Sequence, residues 1–340
     1  MELNKIYQEP CLETLSRMPN GFLDCVVTSP PYWQLRDYGY DGQWGLEPTY
    51  TGYLEHLWEM MDLIFKKLKP GGTVFVNLGD TYSTQLIKNS GLPSKCLMLL
   101  PHRFAIGCID RGWVMRNDLI WAKRNSMPES STDRFSKKHE YFFLMVKSEK
   151  YFFDLDAIRD KNLTNENRPP GIVRNRIYDY DSKMNDPKLN PKAKTRGTQA
   201  WTTSALNQPQ QDNSGGVGFN EKGKNPGSVS DFWDGNKKQS FEEYMNECTE
   251  YYYSQDDFWD INTKPSANKH FASYNDDLIK KPILAGCPEG GIIYDPFMGT
   301  GSTAEVCLRT KRNYIGSEMS AEYCKIAEER LMPFKNNLFS

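Results

Sequence analysis

Along residues 1–155 the apolar positions alternate between short continuous runs and helical spacings, the arrangement of a parallel sheet wrapped by helices. Residues 3–8 predict an N-terminal strand. The run Leu-Asp-Cys-Val-Val-Thr at 23–28, closed by Ser29-Pro30-Pro31, predicts a buried strand ending in a turn. Leu54, Leu57, Met61, Ile64, Phe65 and Leu68 recur at helical spacing, so 53–67 predicts a helix, which Pro70-Gly71-Gly72 ends before an apolar strand at 73–78. A helix at 97–109 and strands at 113–122 and 140–147 follow. Order returns near Phe258, with a helix at 274–285, a strand at 291–295, a helix at 302–311, a strand at 314–318 and a helix at 321–331. The N-terminal strand is expected to pair beside the strand at 314–318.

Between them, residues 155–255 are rich in Asn, Asp, Gly, Pro, Lys and Gln, most loop-like at 208–230, and read as an insertion. The predicted organisation is one domain built from 1–154 and 256–340, interrupted by 155–255. Globally, 42 basic against 44 acidic side chains leave a formal charge of −2, so any nucleic-acid partner must be met by a local patch. Residues 161–196 supply one, with nine basic against four acidic side chains. The longest apolar runs fall far short of the ~20 residues a membrane span needs. No basic-then-apolar leader opens the chain, and a soluble, intracellular protein without membrane association is expected. Eight scattered cysteines, none at CxxC spacing, read as reduced thiols, with no metal site.

Two motifs carry candidate chemistry. Ile292-Ile293-Tyr294-Asp295-Pro296-Phe297-Met298-Gly299-Thr300-Gly301-Ser302 is an apolar strand, a glycine turn and a helix start. About twenty residues on, Glu318 ends the next strand, placed to accept both hydroxyl hydrogens of a ribose. With no third glycine and no GxxxxGK[ST], a nucleoside without phosphates suits the turn better than a dinucleotide. A lone GxG is more often just a strand–helix turn, so the second motif decides. Thr28-Ser29-Pro30-Pro31-Tyr32-Trp33 gathers a hydroxyl, outward carbonyls and two aromatic rings at one strand end. Ser29 and the Pro30 carbonyl can accept the two N–H bonds of an amino-bearing heterocycle while Tyr32 stacks on its ring.

These motifs resemble the amino-methyltransferases of DNA, specifically the circularly permuted beta class with the catalytic motif before the cofactor motif. Ser29-Pro30-Pro31-Tyr32 resembles its cytosine-N4 members; adenine-N6 members usually carry Asp or Asn in place of Ser29. The resemblance covers 1–155 and 256–332, and extends to Trp121-Ala122-Lys123, Lys138-His139-Glu140-Tyr141 and Lys269 to Pro288. It implies a Rossmann-like S-adenosylmethionine-dependent fold with a mixed, mostly parallel sheet and an inserted target-recognition region. It also implies transfer of a methyl group to the N4 amino group of a cytosine flipped out of duplex DNA, in a restriction-modification system. The implied setting is the cytoplasm of a prokaryotic or phage-like host, with a cognate endonuclease and a monomeric or homodimeric state both open.

By resemblance, Ser29, Pro30, Pro31 and Tyr32 form the reaction centre, and His270, Phe271 and Ala272 lie over the methionine and adenine. Asp295, Pro296, Phe297, Gly299, Thr300, Gly301 and Ser302 surround the amino-acid end, and Glu318 holds the ribose. Trp33, Arg36, Lys123, Arg124, Arg134, Lys137 and Lys138 are candidate DNA contacts, with a stronger basic cluster at Arg174, Arg176, Lys192, Lys194 and Arg196. Asp80 either lines the pocket or caps a turn. Two departures stand out: Glu9-Pro10 replaces the Gly-Asp pair usual after the first strand, and Phe297-Met298 replaces Phe-Phe or Phe-Ala. Competing readings are adenine-N6 methylation, a catalytically inactive DNA-binding relative, and carbon-5 cytosine methylation through Cys11. The last lacks a Glu-Asn-Val acid motif, which leaves Cys11 a core thiol.

Overall fold

A computed structural model describes residues 1–83, 92–123, 131–158, 258–261 and 276–336. The chain divides into two compact units, one of Met1–Ile158 with Asp257–Ser340 and the other of Arg159–Asp256. The second unit lies outside the described residues.

In the first unit, an eight-stranded sheet has the order β1-β8-β7-β2-β3-β5-β4-β6. Its strands are β1 (Lys5–Tyr7), β2 (Leu23–Thr28), β3 (Leu68–Leu78), β4 (Val114–Ala122), β5 (His139–Val146), β6 (Phe258–Asp260), β7 (Ile292–Asp295) and β8 (Asn313–Ser317). All neighbours are parallel except the pairs β3/β5 and β5/β4, so the sheet is mixed and mostly parallel, as expected. The N-terminal strand pairs with β8, Lys5 opposite Ile315.

The central strand β2 is apolar on both faces because both are covered. Val26, with Val74 and Val76 of β3, faces a core shared with α1 (Cys11–Arg17), α2 (Tyr50–Lys67) and α3 (Leu100–Asp110). Cys25, Val27 and Phe75 face the opposite core, shared with α4 (Asp276–Gly286), α5 (Ser302–Arg309) and α6 (Ala321–Asn336). Alternate side chains of one strand thus enter two different cores. Among the described residues seven cysteines are free thiols, and no helix is long and apolar enough to cross a membrane.

Several boundaries differ from the sequence reading. Pro70-Gly71-Gly72 lies inside β3, not before it: pairing runs Leu23–Leu68 and then jumps to Cys25–Thr73, an irregularity that absorbs the extra residues. Gly72 permits this, since a Cβ there would lie 2.7 Å from Leu68 and 2.9 Å from the Asp24 carbonyl. Helix α6 continues past Pro333 to Asn336, beyond the expected end at 331. Helix α1 and strand β6 have no counterpart in the sequence reading.

Candidate active site

The two motifs meet at the carboxyl ends of β2 and β7, which are parallel neighbours with Cys25 opposite Ile293 and Val26 opposite Tyr294. Thr28, the last residue of β2, stands close enough to the Asp295 carboxylate at the end of β7 to favour its charged form. The loop after β2 continues across the same edge. The Trp44 ring packs edge-on against Phe297 at 5.3 Å, and a Cβ on Gly42 would touch Met319 at 3.7 Å. Strand ends in a parallel sheet are where such folds bind ligands, because loops there diverge and leave a crevice.

On the β7 side, Gly299 (φ +52°) and Gly301 (φ +83°) turn the chain into α5. A Cβ on Gly301 would sit 2.9 Å from the Ala327 Cβ, so this glycine lets α6 pack against the turn. Around Gly299 the corresponding space is open within 4 Å. Glu318 Oε2 accepts the Gly299 N–H (2.8 Å) and Oε1 accepts the Ser320 N–H (2.8 Å), which fixes the carboxylate against the turn. Asp295 accepts from Thr303 Oγ1 (2.6 Å) and the Phe297 N–H (3.0 Å). Burial pushes both acids up, Asp295 to about 6 despite these hydrogen bonds and Glu318 likewise upward, with Asp295 adding to the effect. The Glu318 charge also raises Tyr38, Tyr40 and Tyr323, second in each case to burial for Tyr40 and a smaller contribution for the other two. Pro296 is buried and Thr300 half-buried. Ser302 accepts from Arg330 (2.8 Å), which also pairs with Asp276 and Glu305. It therefore braces α5 against α6.

On the β2 side, Ser29 Oγ donates toward Asn77 Oδ1 (3.3 Å) and Tyr32 Oη (3.5 Å). Tyr32 Oη lies 2.9 Å from Asn77 Oδ1 and 2.8 Å from Glu140 Oε2. Its ring packs on Gly79, where a Cβ would come within 2.6 Å. Tyr53, buried in α2, donates to the Pro31 carbonyl (2.9 Å) and fixes the second proline. Glu140 is ion-paired with Lys123, whose ammonium also sits 4.1 Å over the Trp121 ring. Asn77 escaped the sequence reading, and Glu140 entered it only as part of the string Lys138-His139-Glu140-Tyr141, without a role. The usable signal for Asn77 was an amide inside the apolar run 73–78, where a buried polar group demands partners.

Trp33 is a correction: its indole is 1% exposed and donates to the Glu47 carbonyl (2.9 Å), so it belongs to the core and cannot reach a base. Lys123 faces Glu140 rather than an open surface. Arg36 and Lys138 are exposed, Arg134 stacks over Tyr82 at 3.9 Å, and Lys137 donates to the Asp80 carbonyl. The Asp80 carboxylate accepts the N–H groups of Thr81, Leu99 and Leu100 at 2.9–3.1 Å, capping α3, so of its two expected roles the structural one is observed. Cys11 is buried and its thiol pushed up to about 12, the environment of a core thiol. His270, Phe271, Ala272, Arg124, Arg174, Arg176, Lys192, Lys194 and Arg196 lie outside the described residues.

Comparison with known proteins identifies the frame. Residues 23–329 match the DNA methylase family N6_N4_Mtase. The chain belongs to this DNA methylase family. The Type II methyltransferase M.Cfr9I of Citrobacter freundii is 30% identical, the alignment covering 99% of this chain and 91% of that protein. M.SmaI of Serratia marcescens, also a Type II methyltransferase, is 28% identical over 96% and 90% of the two chains. In fold, the methylase resembles the PvuII DNA methyltransferase (cytosine-N4-specific), with a TM-score of 0.56 at 16% identity, covering 98% and 91%. It also resembles the putative DNA modification methylase TTHA0409 of Thermus thermophilus, at 0.52 and 18% identity over 97% and 94%. The methylase is accordingly a DNA amino-methyltransferase, and the methyl donor of its family is S-adenosylmethionine.

Proposed function

We propose that this methylase transfers a methyl group to the N4 amino group of cytosine in duplex DNA, with Ser29, Pro30, Pro31 and Tyr32 at the reaction centre. The observation that carries the reading is the Ser29 hydroxyl, set at the end of β2 beside the cofactor turn of β7 and held by Asn77 and Tyr32. Its resemblance to the cytosine-N4 motif, and the fold shared with an enzyme named cytosine-N4-specific, support that base over adenine.

The residues fit a nucleoside-like donor. The open side of Gly299 lets a ligand approach the backbone, and each Glu318 oxygen, having accepted one N–H, keeps a lone pair for a ribose hydroxyl. Asp295, Pro296, Phe297, Gly299, Thr300, Gly301 and Ser302 are proposed to border the amino-acid end, and His270, Phe271 and Ala272 the rest. S-adenosylmethionine supplies an electrophilic methyl group on a sulfonium. The chain's own residues must then localise a lone pair that aromatic delocalisation makes a poor nucleophile. Accepting both amino hydrogens at Ser29 and the Pro30 carbonyl favours a tetrahedral nitrogen aimed at that methyl group.

In duplex DNA the amino group is engaged in pairing, so the base is expected to flip out, at a cost of a few kcal/mol. Arg36, Lys137, Lys138 and the cluster Arg174, Arg176, Lys192, Lys194 and Arg196 are the proposed backbone contacts. A restriction-modification role with a cognate endonuclease follows the Type II relatives.

The test is transfer of labelled methyl groups from S-adenosylmethionine to duplex DNA, followed by digestion to nucleosides and mass spectrometry. N4-methylcytosine is expected, with Ser29→Ala reducing the rate by about 10²-fold or more. N6-methyladenine without methylcytosine would overturn the assignment.

A further inference from the structure

Methyl transfer to an exocyclic amine leaves a proton to be disposed of. The nitrogen forms a C–N bond, the donor's S–C bond breaks with its electron pair left on sulfur, and one N–H proton must depart. Ser29 can take that proton only by passing on its own. Asn77, its nearest partner, offers an amide oxygen, which accepts a hydrogen bond but is not a useful base. The amide is held this way round, since its Nδ2 donates to the Tyr141 carbonyl (3.0 Å). The path beyond Ser29 therefore leads through Tyr32 Oη at 3.5 Å to Glu140 Oε2 at 2.8 Å.

The hydrogen count around Tyr32 points the same way. Tyr32 has one hydroxyl hydrogen but lies within hydrogen-bond distance of two acceptors, Asn77 Oδ1 and Glu140 Oε2. With Glu140 ionised, that hydrogen serves one of them at a time. With a proton on Glu140, the carboxylic acid donates to Tyr32 Oη, and the Tyr32 hydrogen turns to Asn77. Both short contacts are then made. The arrangement has room for one more proton, at Glu140. Lys123, ion-paired to the other carboxylate oxygen, balances the charge before the proton arrives.

We propose that Glu140 is the terminal proton acceptor of methyl transfer, reached from Ser29 through the Tyr32 hydroxyl, with Lys123 as its counter-ion. The amino proton goes to Ser29 Oγ, the Ser29 hydrogen to Tyr32 Oη and the Tyr32 hydrogen to Glu140 Oε2. No oxidant or further reactant enters. Because Glu140 acts through Tyr32 it is a positioning and relay residue, and the proposal rests on the reading of residues 29–32 as the reaction centre.

The titratable groups around Glu140 are Lys123 after β4, Tyr32 after β2 and its chain neighbour His139, which in turn feels Lys137, His102 and Asp80. Single-turnover methyl transfer to duplex DNA is measured against pH for the full chain and for Glu140→Gln, Tyr32→Phe and His139→Gln. Glu140→Gln is expected to slow transfer by about 10²-fold, as loss of proton-transfer catalysis does, with donor and DNA affinities within about twofold of wild type. Tyr32→Phe should slow transfer in the same direction, while His139→Gln should stay within about threefold of the wild-type rate. Acetate or formate should partly restore Glu140→Ala, which a merely structural loss would not allow. A Glu140→Gln enzyme with wild-type rate, or a Glu140→Ala enzyme unrescued by carboxylates, overturns the relay. Wild-type chain that methylates no DNA overturns the assigned function instead, and the relay with it.

Discussion

Asp295 illustrates what burial does to a single acid at this site. Asp295 is 3% exposed, and loss of hydration raises its carboxyl to about 6 against the opposing hydrogen bonds from Thr303 and the Phe297 amide. The folded value exceeds the unfolded one, so between about pH 4 and 6 the native chain binds more protons than the unfolded chain, and stability falls as pH rises through that window. Glu318, shifted the same way, adds to the slope. Asp295→Asn is therefore expected to flatten the decline by about 1–3 kcal/mol in denaturant titrations run from pH 4 to 7. An unchanged slope would show that this carboxylate is not its source. Residues such as Ser29 and Gly299 were visible in the sequence because they break an apolar pattern. Glu140 was visible only as a member of the string Lys138-His139-Glu140-Tyr141, since its significance depends on a tyrosine 108 positions away. Trp33 was misread for the converse reason: adjacency to the motif said nothing about which side of the sheet its ring enters.

The glycine turn between β7 and α5 separates stability from binding within one element. Gly301→Ala would force a side chain into the left-handed region and against Ala327, and is expected to cost about 2–4 kcal/mol in thermal or denaturant unfolding. Gly299→Ala meets open space, so its cost should be nearer about 1 kcal/mol. Its methyl group would instead intrude where the donor is proposed to approach, and donor affinity in calorimetric titration should drop by at least about tenfold. Equal effects of the two variants on stability would contradict this division. At the same scale, long periodic elements such as α2 and β2 were legible, whereas the seven-residue α1 was not. Two turns hold too few apolar positions to show a period, and α1 is secured from outside, its Cys11 carbonyl accepting from the Tyr294 hydroxyl of β7 (3.2 Å). Asp80 caps α3 from about twenty residues upstream because Leu99, at φ +55°, provides no side-chain cap of its own.

For the molecule as a whole, near-neutral charge combined with a basic segment at 161–196 predicts how binding responds to salt. DNA affinity should fall with a slope of log K on log salt steeper than about −4. Each neutralisation among Arg174, Arg176, Lys192, Lys194 and Arg196 should reduce that slope by about one, read by fluorescence anisotropy on a short duplex. A flat dependence would remove these residues from the DNA interface.

By itself the sequence determined most of the strands, the longer helices, the two motifs at their strand ends and the family resemblance. Each of these is written in local periodicity or in a short string of residues with restricted backbone choices. Apart from the pairing of β1 with β8, only the tertiary structure decided which strand lies beside which, and with it that Thr28 stands beside Asp295, that the Glu318 carboxylate accepts the Gly299 N–H, and that Asn77 and Glu140 converge on Tyr32. Such contacts arise when parallel strands distant in the chain are brought into register by burying two separate cores, and nothing in the local spacing of polar residues encodes that register.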